Sequence, residues 1–175
     1  ISKGKRDQLI KNTQIAKDSD FEKKHLKSME FNYGKSKFFH KEFQPIFDLL
    51  NSDYEYLAEL NLKLIMYFCK RLNIETEIIK SSNLNSQGKK ADLLCSICKE
   101  LNACKYISPP GSKEYLQESD TFFQANIPIL YFNYKHPSYD QLWGDFLPYM
   151  SIIDLLFNTG NKAVEFVKNN YEFTE

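Results

Sequence analysis

Three stretches of this chain hold residues whose types and spacing could do chemistry. The first is Ser108-Pro109-Pro110-Gly111-Ser112, small turn-forming residues between the runs KYIS and KEYL. A turn of this kind at the carboxyl end of a strand, opening a helix, can present main-chain N–H groups to an anion. Gly111 would let a backbone approach closely, Ser112 could cap the helix, and Ser108 could point a hydroxyl into the same crevice. The same residues would serve a helix start that needed only a cap and a turn. The second stretch is YKHPSYDQ, residues 134–141. Pro137 pushes His136 towards an extended conformation, which suits a side chain presented on a loop, and a neutral imidazole there could act as a general base. An isolated His is more often structural. Tyr139 and Gln141 stand two apart and share a side if the stretch is extended, offering a hydroxyl and an amide to a polar ligand. The third stretch is SIIDLLFN, residues 151–158. Asp154 stands in an otherwise apolar run and must find a partner or bear a desolvation penalty. Ser151 as N-cap with Asp154 three positions on would be a capping-box variant; alternatively Asp154 accepts a proton from His136 or from ligand hydroxyls. Asn158, just before Gly160, reads as helix-termination chemistry.

The elements that must position these residues follow from periodicity and turn signals. Residues 1–19 read as an irregular lead-in, with Asp18, Ser19 or Asp20 available to cap a helix over 21–33 that Gly34 stops. Helices follow over 39–50, with Pro45 in the middle, and over 54–72, where Leu57, Leu60, Leu64, Phe68 and Leu72 share a face and Asp53 can cap the start. The pattern then changes to short β-branched runs at 76–80, 105–108 and 127–132, separated by helices over 89–101 and 113–118. Two further helices are expected over 149–157 and 162–168. This alternation predicts an α/β fold: a mostly parallel, three- to four-stranded sheet with crossover helices, preceded by a helical amino-terminal portion. One domain over 1–175 results, with 1–74 mainly helical and 75–175 α/β.

Composition narrows the function classes. A chain of 175 residues can hold a core without disulfides or metals. Its 23 basic and 23 acidic residues balance, so nothing global points to DNA or to an anionic membrane. The amino-terminal quarter is locally basic through Lys3, Lys5, Arg6, Lys11, Lys17, Lys23, Lys24, Lys27, Lys35, Lys37 and Lys41, a pattern that fits a solvated helical face better than a polyanion site. The 14 Phe and 11 Tyr are compatible with a pocket that stacks on flat ligands or sugars, with core burial the default for most of them. Cys95 and Cys98 form a C-x-x-C, but no second ligand pair accompanies them, and with Ala91, Leu94 and Leu101 they make one apolar stripe. Buried thiols in a reducing compartment are expected, alongside Cys69 and Cys104, with no metal and no cofactor. No apolar run approaches the roughly 20 residues that span a bilayer, so the expectation is a soluble, cytoplasmic protein without membrane insertion.

The blocks YISPPGSKEYL at 106–116 and YKHPSYDQLWGDFLPYMSIIDLLFNTG at 134–160 resemble the WbqC-like protein family. Its members carry a strand ending in a Ser-x-x-Gly-Ser turn, a His-Pro-x-Tyr-x-Gln segment and a Ser-x-x-Asp-Leu-Leu-Phe-Asn-x-Gly helix. KKHLKSMEFNYGKSKFF at 23–39 resembles the family's basic helix and Tyr-Gly-Lys turn, so the likeness covers nearly the whole chain; His25, Tyr33 and Gly34 match there as weaker candidates. The family's opening His/Ser-Gln-Pro-x-Tyr-x-Pro turn and Asp-Asp-Val-Gln strand do not occur. The resemblance thus implies a fragment lacking the amino-terminal segment, with a sheet edge open to self-association.

It further implies an enzyme of bacterial surface-polysaccharide (O-antigen) biosynthesis that transfers glycine or another aminoacyl group to the amino group of a nucleotide-linked amino sugar. Its partners would be that sugar and an acyl donor, whether an aminoacyl-tRNA, an ATP-activated acid or a thioester. The residues implied are His136 and Asp154 for catalysis, and Ser108, Gly111, Ser112, Tyr115, Tyr139 and Gln141 for substrate, with His136 in the same pocket as Ser108, Ser112 and Tyr139. Two other classes stay open. One is a nucleotidyltransferase-like or adenylate-forming enzyme, suggested by the type of sheet. The other is a non-catalytic nucleotide-sugar-binding module, since the sequence holds no complete triad or metal cluster.

Overall fold

The computed structural model of the chain describes residues 8–16 and 19–175. Lys3, Lys5, Arg6, Lys17 and the proposed cap Asp18 lie outside the described residues. The chain divides into two compact units, one formed by residues 1–75 and 136–169, the other by residues 76–135 and 170–175.

The first unit is helical: α1 (Phe21–Tyr33), α2 (Phe39–Leu50), α3 (Leu57–Arg71), α7 (Ile152–Thr159) and α8 (Ala163–Lys168). Phe39, Phe43, Ile46 and Leu50 recur along α2 at three- and four-residue spacing and are all buried, so α2 carries one continuous apolar stripe. That stripe explains why α2 runs through Pro45: packing on both sides holds the helix although Pro45 donates no main-chain hydrogen bond. Leu26 of α1, Leu60 of α3 and Phe157 of α7 complete this core. Phe39 stacks on Phe43 at 4.6 Å between ring centroids and meets Phe157 edge-on at 5.1 Å. A second cluster gathers Leu72, Tyr139, Leu155, Leu156 and Ala163.

One ion pair fixes α2 to α3. Glu42, buried in the α2 stripe, takes both prongs of the Arg71 guanidinium, Nη2 to Oε1 at 2.6 Å and Nε to Oε2 at 2.8 Å. Arg71 also donates to Asn161 Oδ1 at 2.9 Å, so the turn between α7 and α8 joins the clamp. Two expected caps are corrected. The third helix starts at Leu57, and its N-cap is Tyr56, whose main-chain N–H donates to Glu59 Oε2 in a capping box, so Asp53 is not the cap. Asp20 occupies the N-cap of α1 but makes no side-chain cap bond, and its carboxylate pairs with Lys23 instead. Among the described residues the Ser36 hydroxyl is buried without a hydrogen-bond partner.

The second unit holds a small three-stranded sheet in the order β1 (Tyr106–Ser108), β2 (Ile129–Tyr134), β3 (Tyr171–Thr174). β1 and β2 are parallel, with Tyr106 opposite Ile129, whereas β2 and β3 are antiparallel, with Tyr134 opposite Tyr171. The sheet is therefore mixed rather than mostly parallel. Two misreadings produced the difference. Residues 76–80 form no strand and are exposed throughout, because a β-branched run without a ladder partner gains nothing from its propensity. The carboxyl-terminal YEFT, not expected to be a strand, pairs with β2, and Phe132 and Tyr171 stack at 5.1 Å on one face of that pair. Helices α4 (Lys90–Glu100), α5 (Lys113–Gln117) and α6 (Thr121–Gln124) supply the rest. Ala91, Cys95, Cys98, Leu116, Phe122, Ile127 and Tyr131 form the core of this unit. The cysteines are free; Cys95 and Cys98 are buried, and burial pushes the Cys98 thiol up. Leu101 departs from the expected stripe, lying just past the end of α4 and largely exposed. Among the described residues no helix is long and apolar enough to cross a membrane.

α7 ends at Gly160, whose φ of +57° and ψ of −125° favour glycine. A Cβ there would also sit 2.6 Å from the Phe38 ring, and Phe38 N–H donates to the Phe157 carbonyl at 3.0 Å. Gly160→Ala should therefore destabilise the protein by about 2 to 4 kcal/mol, the sum of backbone strain and a ring that must move. Equilibrium denaturant unfolding checks this; a loss below about 0.5 kcal/mol, the level of an ordinary surface change, would contradict it.

Candidate functional site

The centre of the site is a carboxylate. Ser151 caps α7, its Oγ accepting from the Ile153 N–H at 3.5 Å, and three residues on Asp154 is 4% exposed. Oδ2 of Asp154 accepts the Tyr139 hydroxyl at 2.6 Å and the Gln141 amide Nε2 at 2.9 Å. Asn158 donates to the Asp154 carbonyl at 2.9 Å and reaches Oδ1 at 3.3 Å. Tyr33, at the end of α1, lies close enough to feel the charge of this carboxylate. Ser151 is thus the expected cap, while Asp154 turns inward to neutral donors from the protein itself.

Among the described residues no ion pair includes Asp154. Its charge is offset by phenol and amide donors and by its place in the first turn of α7, where the helix dipole favours an anion. The phenols respond in turn. Burial, followed by the charge of Asp154, pushes Tyr33 up to about 12. The same influences raise Tyr139 still further, burial first. Both phenols stay protonated at neutral pH, so Tyr139, which donates to the carboxylate, is a latch rather than a base.

Gln141 extends the latch to the main chain. Besides holding Asp154, its Nε2 donates to the Leu147 carbonyl at 2.9 Å, and its Oε1 accepts the Leu147 N–H at 2.8 Å. One side chain therefore closes the loop 141–147 as a second strand would. Trp143 within that loop donates Nε1–H to the Asn32 carbonyl at 2.9 Å, pinning it to α1.

His136 stands at the start of this segment, half-buried. Its Nδ1 lies 3.1 Å from the Pro137 carbonyl oxygen, which can only accept. In the neutral ring that contact keeps the proton on Nδ1 and leaves the basic lone pair on Nε2. The rings around the imidazole include Tyr139 at 6.0 Å, Phe146 at 5.6 Å and Tyr149 edge-on at 5.4 Å. Tyr149 is 77% exposed and sits at φ +60°, a left-handed conformation that costs a bulky residue about 1 to 3 kcal/mol.

The other predicted residues lie in the second unit, so the eight do not form one contiguous set within a unit. Ser108 and Ser112 are buried, with hydroxyls 2.7 Å apart, and Ser112 Oγ donates to the Pro109 carbonyl at 2.7 Å. Ser112 thus makes no cap bond to α5. The N–H groups of Ser112 and Lys113 donate to Pro109 and Pro110 carbonyls, while Pro109 and Pro110 carry none. A Cβ on Gly111 would meet nothing within 4 Å, so no close backbone approach requires glycine there. Tyr115 packs at the edge of the second unit's core.

Sequence reasoning undervalued Tyr33, which the Tyr-Gly-Lys turn had flagged, and missed Phe146 and Tyr149, whose aromatic spacing in WGDFLPYM was the available signal. A cavity of about 250 Å³ in the first unit, lined by Ile15, Phe21, Glu22, Leu50, Ser52, Asp53, Tyr54 and Leu60, holds none of the predicted residues.

The sequence model of the WbqC-like protein family matches residues 1–166. The chain belongs to the WbqC-like protein family. Among curated proteins, the uncharacterized protein Rv1507c of Mycobacterium tuberculosis is 32% identical over 170 residues, which cover 95% of this chain and 72% of that protein. No solved structure matches. The matched region takes in the His136 segment and all of α7, so the Asp154 network lies within the family's domain.

The raised phenol gives a pH signature. A tyrosine of pKa about 10 in the unfolded chain and about 12 in the folded one binds more protons folded than unfolded between those values, so stability falls as pH rises from 10 to 12. Tyr33→Phe should make this decline shallower than in the wild type. Parallel unfolding curves from pH 8 to 12 test it, and identical slopes for the two proteins would contradict the assignment.

Proposed function

We propose that this WbqC-like protein is a cytoplasmic enzyme of bacterial surface-polysaccharide synthesis. In this reading it transfers glycine or another aminoacyl group to the amino group of a nucleotide-linked amino sugar. The observation that carries the reading is His136, framed by aromatic rings on the segment that the Asp154 latch holds, with Nδ1 against the Pro137 carbonyl. An amine acceptor needs such a base: the sugar nitrogen attacks the acyl carbonyl, the C–N bond forms and the bond to the donor breaks. His136 Nε2 takes the amine proton and returns it to the departing group. Aromatic walls suit a sugar ring or a nucleotide base. Asp154, surrounded by protein donors, is a positioning residue in this scheme, and Tyr139 and Gln141 transmit its hold to the segment.

His136→Gln should lower turnover by about 100-fold to 10,000-fold with the melting temperature unchanged. Turnover is measured with a nucleotide-linked amino sugar and an activated aminoacyl donor, and melting on the same preparation. A destabilised variant with normal specific activity would sink the catalytic role. Release of pyrophosphate from ATP with a free amino acid would favour an adenylate-forming enzyme instead, and tight sugar binding without turnover a binding module.

A further inference from the structure

We propose that Tyr149 is the surface on which the planar base of the nucleotide-linked substrate stacks beside His136. The inference rests on the functional reading above and adds the residue that selects the substrate's flat end. Neither packing nor backbone geometry accounts for a tyrosine here. With 77% of its surface exposed, Tyr149 contributes little apolar burial, and at φ +60° its backbone suits Gly or Asn better than an aromatic residue. Its ring nevertheless stands edge-on to His136 at 5.4 Å with an interplanar angle of 70°. A T-shaped pair uses at most one face of either ring, so at least one broad face of Tyr149 lies outside the His136 contact.

The surroundings agree. Trp143, Leu147 and Met150 of the same segment are also exposed, so Tyr149 is one of several large apolar side chains this segment turns to solvent. The segment carrying it is held firmly, by Gln141 on the Leu147 main chain and by Ser151 at the start of α7. An exposed aromatic ring kept in a strained conformation on a fixed segment, next to a candidate base, is the arrangement expected where strain is retained for recognition. A nucleotide base offers the flat π-face that such a ring accepts, whichever base it is.

The test is calorimetric titration of the protein with ADP, GDP, UDP and dTDP, using wild type, Tyr149→Phe and Tyr149→Gly, with melting curves for each. The wild type should bind at least one of the four, and Tyr149→Phe should keep that affinity within about threefold, because the ring remains. Tyr149→Gly should weaken it by about 10- to 100-fold, the range expected for loss of one stacked ring. Its melting temperature should stay level or rise by about 2 to 4 °C as the backbone strain is relieved. Undiminished binding by Tyr149→Gly would overturn the stacking role alone and leave the enzyme assignment standing. A lower melting temperature for Tyr149→Gly would show Tyr149 to be structural and would also overturn it. A wild type that binds none of the four nucleotides would overturn both this proposal and the nucleotide-linked substrate of the functional reading.

Discussion

A buried carboxylate with no cationic partner among the described residues is the constraint around which the candidate site is arranged. Asp154 would be costly in the apolar run of α7 if it stood alone, and the donors that offset the cost come from separate parts of the chain: Tyr139 and Gln141 from the segment after β2, Asn158 from the next turn of α7. Satisfying one charge thereby fixes that segment against α7, and Trp143 ties the same segment to α1. A hydrocarbon core could hold the helices equally well. It would not set the rotation of Tyr139 or the path of residues 137–151.

That path determines how His136 is presented. The segment has no regular secondary structure, so its main-chain groups need other partners, and the Gln141 amide supplies the pair that a strand would have provided. With Trp143 tied to α1 and Ser151 starting α7, the imidazole meets Tyr139, Phe146 and Tyr149 as a defined frame. The left-handed Tyr149 is strain that this frame sustains. The Glu42–Arg71 clamp does comparable work for α2 and α3, yet it is a closed pair of opposite charges. Asp154 is different because its partners are neutral and stay protonated.

The sequence was most legible where a single periodic stripe dominated. α1 and α2 fall where the spacing puts them, and the strand-turn-helix around Ser108 and Ser112 is present. It was least legible where pairing decides. Residues 76–80 look like a strand by composition and have no ladder, whereas YEFT becomes a strand because β2 is there to receive it. The third stretch could be read as a cap or as a site, and the family motif containing Asp154 could not say which way the carboxylate turns. That direction depends on Tyr139 and Gln141, which donate to it from a segment outside the helix. Likewise the small residues of the Ser108 turn suited an anion cradle on paper, but two prolines remove donors, and the Ser108 and Ser112 hydroxyls and the Ser112 and Lys113 N–H groups bond within the turn.

The central claim is that Asp154 orders the 137–151 segment. Residue-resolved amide hydrogen exchange on Asp154→Asn tests it most directly, read at Leu147, whose N–H is held by Gln141 Oε1. The account predicts that Leu147 and its neighbours in 137–151 lose protection while amides in the middle of α2 and α3 keep theirs. Unchanged protection at Leu147, or a uniform loss across the whole unit, would contradict it.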